Sequence, residues 1–78
     1  MKQIGVDCRF ALDGTIDVRR IFYEGKWMPV GQGRQWVDRD GRHVLIMLPD
    51  DRPGEIRLRS DTMTWELLSP GSRDIKMV

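Results

Sequence analysis

The chain has one cysteine and one histidine, and it has no long apolar segment. A lone cysteine excludes an intramolecular disulfide and favours a reducing compartment, and one Cys with one His cannot supply the four ligands of a structural zinc site. The longest apolar run, residues 44–48, is far shorter than the ~20 residues that span a bilayer. Asp7 and Arg9 interrupt the apolar stretch near the N-terminus, so no signal peptide is visible. We therefore expect a cytoplasmic protein without a metal, a cofactor or a membrane anchor.

Neither sign of charge dominates the sequence. Thirteen basic residues face twelve acidic ones, which gives a net charge of +1 and a pI near 7.9. A domain dedicated to binding duplex nucleic acid usually has a stronger basic bias, with a pI above ~9. The composition therefore favours other kinds of partner.

Apolar residues do not recur with the period of a helix in any segment of about ten residues or more. Instead they alternate with polar residues, which is typical of strands with one buried face. We predict an all-β fold, a small antiparallel meander of six to seven strands that forms a partly open barrel. An SH3-like barrel is favoured over an OB-like one, because the OB fold usually has a helix between its strands. Residues 1–69 form the predicted β domain, and residues 70–78 a C-terminal tail. Pairs typical of turns separate the runs: Asp13-Gly14, Glu24-Gly25, Asp40-Gly41, Pro53-Gly54 and Pro70-Gly71.

Three irregularities interrupt this regular pattern. The alternation slips by one residue at Arg19 and Arg20, which predicts a β-bulge there. Pro29 lacks an N–H group, so its strand should be short or lie at a sheet edge. Residues 31–33, Gly-Gln-Gly, are interpreted as a flexible loop between strands.

The segment of residues 44–48 is apolar on both faces, although a strand with one solvated face should alternate. One explanation is that Ile75, Met77 and Val78 of the tail cover the second face. The other is an interface with a protein partner or with a second copy of the chain, since contiguous apolar patches mark contacts. The candidate interface residues are Ile21, Tyr23, Leu45 and Met47.

A second hypothesis is weak binding of single-stranded nucleic acid. Single-strand binders combine a positive groove with aromatic rings on which bases stack. Trp27 is the tryptophan expected to be exposed, whereas Trp36 and Trp65 are expected in the core. The candidate face comprises Trp27, Arg34, Arg39, Arg42, Arg57 and Arg59.

Side chains suited to catalysis are few. His43 is interpreted as a surface residue or one whose hydrogen bonds are satisfied, and Asp38 and Asp40 as residues that stabilise a turn. We therefore expect a non-catalytic binding module and not an enzyme.

The stretch from Arg20 to Leu67 resembles short bacterial families of unknown function. The shared layout has an aromatic strand, a central tryptophan, a hairpin and a closing strand. Its residues are Gly25, Val30, Trp36, Gly41-Arg42-His43 and Trp65-Glu66-Leu67. The resemblance implies a compact β domain in a bacterial cytoplasm and assigns no activity or site residue.

Overall fold

The computed structural model describes residues 2–68, which form seven antiparallel β-strands and no helix. The strands belong to one sheet that curls into an open half-barrel, so the predicted all-β fold and partly open barrel are confirmed. The predicted tail, residues 70–78, lies outside the described residues. The strands are β1 Lys2–Phe10, β2 Ile16–Tyr23, β3 Lys26–Pro29, β4 Gly31–Asp38, β5 Gly41–Met47, β6 Pro53–Arg59 and β7 Trp65–Leu67.

The strand order is β3-β2-β1-β7-β6-β5-β4, which is more than a simple meander. Strands β1–β3 form one meander and β4–β7 a second, and the pairing of β1 with β7 joins them. The chain passes from β3 at one edge of the sheet to β4 at the other through Val30 alone. This short connection forces the two edges towards each other and thereby curls the sheet.

The core lies on the inner, concave face of the half-barrel. Alternate residues of β2, β5 and β6 point inward and lose nearly all their exposure to water, which stabilises the fold by roughly 1.5–3 kcal/mol per large aliphatic side chain. The buried apolar residues are Ile16, Val18, Ile21, Val44, Ile46, Leu48, Ile56, Leu58 and Leu67.

A β-bulge at Arg19 determines which residues of β2 face the core. Asp7 pairs with Arg20 while Cys8 pairs with Val18, so Arg19 is the extra residue and the predicted bulge is confirmed. The bulge shifts the alternation by one position. As a result Ile21 points inward and is fully buried.

Two local predictions were wrong. Gly31 begins strand β4 and pairs with Met47, so the predicted flexible loop is strand. Gly54 lies inside β6 and not in a turn, because the β5–β6 connection turns earlier. There Asp51 adopts a φ of 66° and donates its N–H to the Leu48 carbonyl at 2.9 Å.

Two glutamine side chains join the curled edges of the sheet. A second irregularity, between Gln32 and Gln35, places both residues opposite inward-facing partners on β5. The Gln32 amide accepts a hydrogen bond from Val18 N at 2.7 Å and donates one to Ile16 O at 2.8 Å. The Gln35 amide accepts from Ile16 N at 3.0 Å and donates to the same carbonyl at 2.9 Å. We call this set of bonds the glutamine seam.

The seam occupies the part of β2 that β3 does not reach. Strand β3 pairs only with Arg20–Tyr23 of β2, so the backbone groups of Ile16 and Val18 on that edge lack a strand partner. A peptide group has one hydrogen-bond acceptor and one N–H donor. The side-chain amide of glutamine has an acceptor and two N–H donors, so it can take the place of a peptide group. The side chains of β4 therefore replace the missing backbone ladder, and Arg42 also donates to Gln35 Oε1 at 2.9 Å.

Candidate interaction surfaces

An apolar groove runs along the outer face of β4 and β5. Gly31 lies opposite Met47, and a Cβ built on Gly33 would stand 3.6 Å from the Leu45 Cβ. Because the glycines have no side chain, they leave a depression in the surface beside the projecting side chains of Leu45 and Met47. Pro53 of β6 continues the lining, and the groove has a volume of about 350 Å³. We call this surface the glycine groove.

The structure brings together two of the four candidate interface residues. Leu45 and Met47 are 37% and 45% exposed and lie side by side on the outer face. Ile21 was expected beside them, and this was wrong: it is 0% exposed, since the bulge at Arg19 turns it into the core. Tyr23 is half-buried and packs against the core from the same strand. The exposed apolar face is therefore smaller than predicted and belongs to β4–β6.

The outer face next to the glycine groove carries a buried histidine. His43 Nδ1 lies 2.7 Å from Glu55 Oε2, and Nε2 lies 3.0 Å from Asp38 Oδ2 without a hydrogen bond between them. The imidazole stacks on Trp36, with ring centroids 5.1 Å apart and planes at 4°. The histidine side chain is only 7% exposed, so the interpretation of His43 as a surface residue is wrong. The alternative, satisfied hydrogen bonds, holds for Nδ1 and not for Nε2.

Two arginines and their carboxylates extend this array across β6 and β7. Arg57 donates to Glu66 at 2.7 Å and lies 3.6 Å from Asp40, and both Arg57 and Glu66 are largely buried. The hydrogen bond from Arg57 holds the pKa of Glu66 below its usual range. Arg59 does the same to the pKa of Asp61, with which it forms a close ion pair.

Asp38 and Asp40 mark the turn of the β4–β5 hairpin. Asp38 Oδ1 accepts hydrogen bonds from Asp40 N at 2.9 Å and Gly41 N at 3.3 Å, which confirms the interpretation of Asp38 as a turn residue. Desolvation raises the pKa of Asp38, but these N–H groups together with His43 outweigh it and lower the pKa. The turn is thus coupled to the buried histidine through one carboxylate.

We expect the free energy of unfolding to fall below about pH 4.5, because the pKa values of Glu66, Asp61 and Asp38 are lowered in the folded state. A carboxylate with a lowered pKa stabilises the fold above its unfolded pKa, and this contribution disappears as the pH falls through the folded pKa. Urea unfolding at about pH 5 and about pH 3 measures the loss. Glu66→Gln should reduce the difference. Glu24→Gln is the control, since Glu24 makes no ion pair within residues 2–68; an equal reduction there would contradict the assignment.

The structure does not gather the candidate nucleic-acid face into one surface. Trp27 is 47% exposed, as predicted, but its ring packs against Phe22 and Arg20 of β2. Arg34 stacks instead over Trp36 of its own strand β4. Arg42 is on the inner face and is bonded to Gln35.

The remaining arginines of that face stand among carboxylates. Arg57 and Arg59 are paired as described above. Arg39 lies in the β4–β5 turn beside a cavity of about 270 Å³ whose lining has three basic and two acidic residues. Carboxylates therefore neutralise Arg57 and Arg59, two of the positive charges that the hypothesis uses. The cavity is lined by Arg39, Asp40, Arg57, Arg59, Ser60 and Asp61.

A third surface, which the sequence did not suggest, lies between the β2–β3 hairpin and the β5–β6 loop. It is an open cleft of about 430 Å³ with aromatic, proline and charged residues. These segments are 19 or more residues apart in the chain, and only the curl of the sheet brings them together. We call it the aromatic cleft; its lining residues are Tyr23, Glu24, Lys26, Trp27, Met28, Pro29, Leu48, Pro49, Asp50 and Arg52.

No helix that could cross a membrane is found among residues 2–68. Within the same residues, no three His, Cys, Asp or Glu side chains are grouped so that they could hold a metal ion. Comparison with protein-family models, with curated proteins and with solved structures finds no match to this chain.

Proposed function

We propose that this chain is a non-catalytic interaction module of the cytoplasm that self-associates through the glycine groove. The proposal rests on one observation: the glycine groove is exposed and apolar, and its projecting side chains stand beside a space left by two glycines. Leu45 and Met47 stand out from the sheet, and Gly31 and Gly33 leave space next to them. A two-fold interface requires such a surface, because the same patch must supply both the knob and the hole.

The charge of the chain permits this association. A large net charge keeps proteins apart by mutual repulsion, whereas this chain has a net charge of +1. A stable interface of ordinary size buries about 800 Å² per partner, and the glycine groove supplies only its apolar centre. We therefore expect a weak dimer whose formation depends on concentration in the micromolar range.

Two residues that often carry catalysis have surroundings that support a non-catalytic function. His43 is nearly hidden from solvent, and both ring nitrogens face carboxylates. Cys8 is half-buried, and burial together with the neighbouring Asp7 raises the pKa of its thiol. A thiol with a raised pKa is a poor nucleophile, since the thiolate is the reactive form.

We expect Leu45→Glu and Met47→Glu each to weaken self-association by about tenfold or more, because a buried unpaired carboxylate is costly. Gly33→Ala should also weaken it while leaving the fold intact, since a Cβ there enters the hollow and would stand 3.6 Å from the Leu45 Cβ, an ordinary contact distance. Sedimentation velocity at concentrations up to about 1 mM measures the effect.

Leu12→Glu is the matched control, because Leu12 is a fully exposed leucine outside the groove. It should leave the association unchanged. A wild-type chain that remains monomeric over the whole concentration range would overturn the proposal, and so would a Leu12→Glu variant that dissociates as readily as Leu45→Glu.

A further inference from the structure

The glycine groove lies at the end of the sheet towards which β7 runs. Strand β7 is antiparallel to β6, so the chain leaves β7 in the direction of Pro53, which lines the groove at the start of β6. The N–H of Leu68 donates to the Glu55 carbonyl at 2.8 Å, and Glu55 pairs with Leu45 of the groove. Residues 69–78, which we call the C-terminal segment, therefore begin two strands from Leu45.

The C-terminal segment is long enough to lie over this groove. Neighbouring strands are ~4.8 Å apart, so β4, three strands from β7, lies roughly 14 Å away along the sheet. Ile75 is seven residues beyond Leu68, and an extended chain of seven residues spans up to roughly 23 Å. Pro70-Gly71 is a pair typical of turns, so the chain can change direction before it crosses the sheet. Both the distance and the sequence thus permit the segment to fold back on the groove.

The segment also has the spacing that the groove presents. Ile75 and Met77 alternate with charged residues, so in an extended chain their side chains project on the same side. In the groove the two glycines are likewise two positions apart in the chain. A Cβ built on Gly31 would stand 3.7 Å from a side-chain Cβ of β5, and one built on Gly33 would stand 3.6 Å from another. Two apolar side chains of an extended segment therefore match two hollows at the same interval.

A tethered segment needs little affinity to fill the groove. A short linker gives the two sites that it joins an effective concentration in the millimolar range, so a contact too weak to hold two separate molecules can form within one chain. Contact with the groove would remove the exposed side chains of Leu45 and Met47 from water, together with those of Ile75 and Met77. Burial of apolar surface on both sides of the contact is what stabilises it.

The aromatic cleft is the alternative place for the segment. Lys2 pairs with Leu67 at the end of β7, and its Nζ lies 5.8 Å from the centroid of the Tyr23 ring in the cleft. The cleft is thus also near the point where the chain leaves the sheet. Its lining, however, includes two acidic and two basic side chains, whereas the lining of the groove has no charged residue. An apolar pair such as Ile75 and Met77 is therefore suited to the groove.

We propose that the C-terminal segment binds the glycine groove of its own chain, with the side chains of Ile75 and Met77 above Gly31 and Gly33. The segment then covers the projecting side chains of β5 and shields them from solvent. A second copy that uses the same groove must displace the segment, so the segment limits self-association; this consequence rests on the proposed function.

The test variant is the full chain with Ile75→Glu and Met77→Glu combined, in a solution dilute enough that sedimentation velocity detects only the monomer. A ¹⁵N-correlated spectrum reports the amide signals of Gly31 and Gly33. We expect both signals to shift relative to the wild type, because burying two carboxylates in an apolar groove is costly and the segment leaves it. At higher concentration the test variant should dimerise about fourfold more tightly, since a segment that fills each groove for about half of the time leaves both grooves free in about a quarter of encounters.

Ser69→Glu combined with Ser72→Glu is the matched control, because it adds the same charge to the segment at polar positions. It should leave the two glycine signals and the dimer unchanged. The proposal is overturned if the glycine signals of the test variant equal those of the wild type, even where both chains dimerise. It is also overturned if the control shifts these signals equally, or if the signals of Tyr23 and Met28 shift in their place. If the glycine signals shift as expected and neither chain dimerises, the segment binds the groove and only the proposed function fails.

Discussion

Replacing Gly41 by alanine should lower the free energy of unfolding by about 4 kcal/mol or more and leave much of the chain unfolded. Gly41 has a φ of 145°, and a Cβ at this position would overlap the Leu58 carbonyl oxygen on the neighbouring strand. The same Cβ would stand 3.1 Å from the Arg59 Cα, so both contacts are with backbone, which cannot move aside without breaking the β5–β6 pairing. A domain of this length has a total stability of roughly 4–12 kcal/mol, so such a loss is at least about a third of the total.

Gly14→Ala separates the effect of backbone conformation from that of the clash. Gly14 also has a positive φ, of 90°, but nothing lies within 4 Å of a Cβ built there. The Gly14→Ala variant should lower the free energy of unfolding by only about 1 kcal/mol. Urea unfolding followed by tryptophan fluorescence compares the two variants. Equal stability of the two variants would contradict this explanation, because the clash with the neighbouring backbone would then not be the reason for glycine at position 41.

The double variant Gln32→Ala, Gln35→Ala should lower the free energy of unfolding by about 2–4 kcal/mol. It removes the glutamine seam and leaves the N–H groups of Ile16 and Val18, two nearly fully buried residues, without their acceptors. A buried donor that loses its partner costs about 1–3 kcal/mol. Each single variant should show part of the loss, and the two should not add, because both amides bond to the Ile16 carbonyl.

Gln3→Ala is the control for the seam. Gln3 is an exposed glutamine of β1 whose side chain makes no hydrogen bond within residues 2–68, and its loss should change stability by no more than about 0.5 kcal/mol. Gln35→Glu provides a finer test, since a carboxylate still accepts from Ile16 N and Arg42 but cannot donate to the Ile16 carbonyl. If the double variant were as stable as Gln3→Ala, water would be replacing the hydrogen bonds of the glutamine seam, and the prediction would be wrong.

The strands and hairpins could be predicted because they depend on local patterns. The alternation of apolar and polar residues identified the strands, and the slip at Arg19 identified the bulge. The predicted face of Ile21 did not include the one-residue shift that the bulge causes, so this residue was assigned to the wrong face. Leu45 and Met47 were recognised as exposed because no bulge intervenes in β5.

The seam and the aromatic cleft could not be predicted from local patterns. Gln32 lies between two glycines, a context typical of a loop, and its partner Val18 is 14 residues away. The cleft joins residues of the β2–β3 hairpin to Leu48 and Pro49, and no periodicity relates them. Both features arise from the curl of the sheet, which depends on strand order and not on any single strand.

The glutamine seam also affects how this half-barrel can move. A barrel closed by a backbone ladder opens only when a strand loses its pairing, whereas two side-chain amides can release β2 by rotating about their own bonds. Such an opening is a local event with a free energy far below that of global unfolding. The curvature of the sheet can therefore fluctuate while every strand keeps its neighbours.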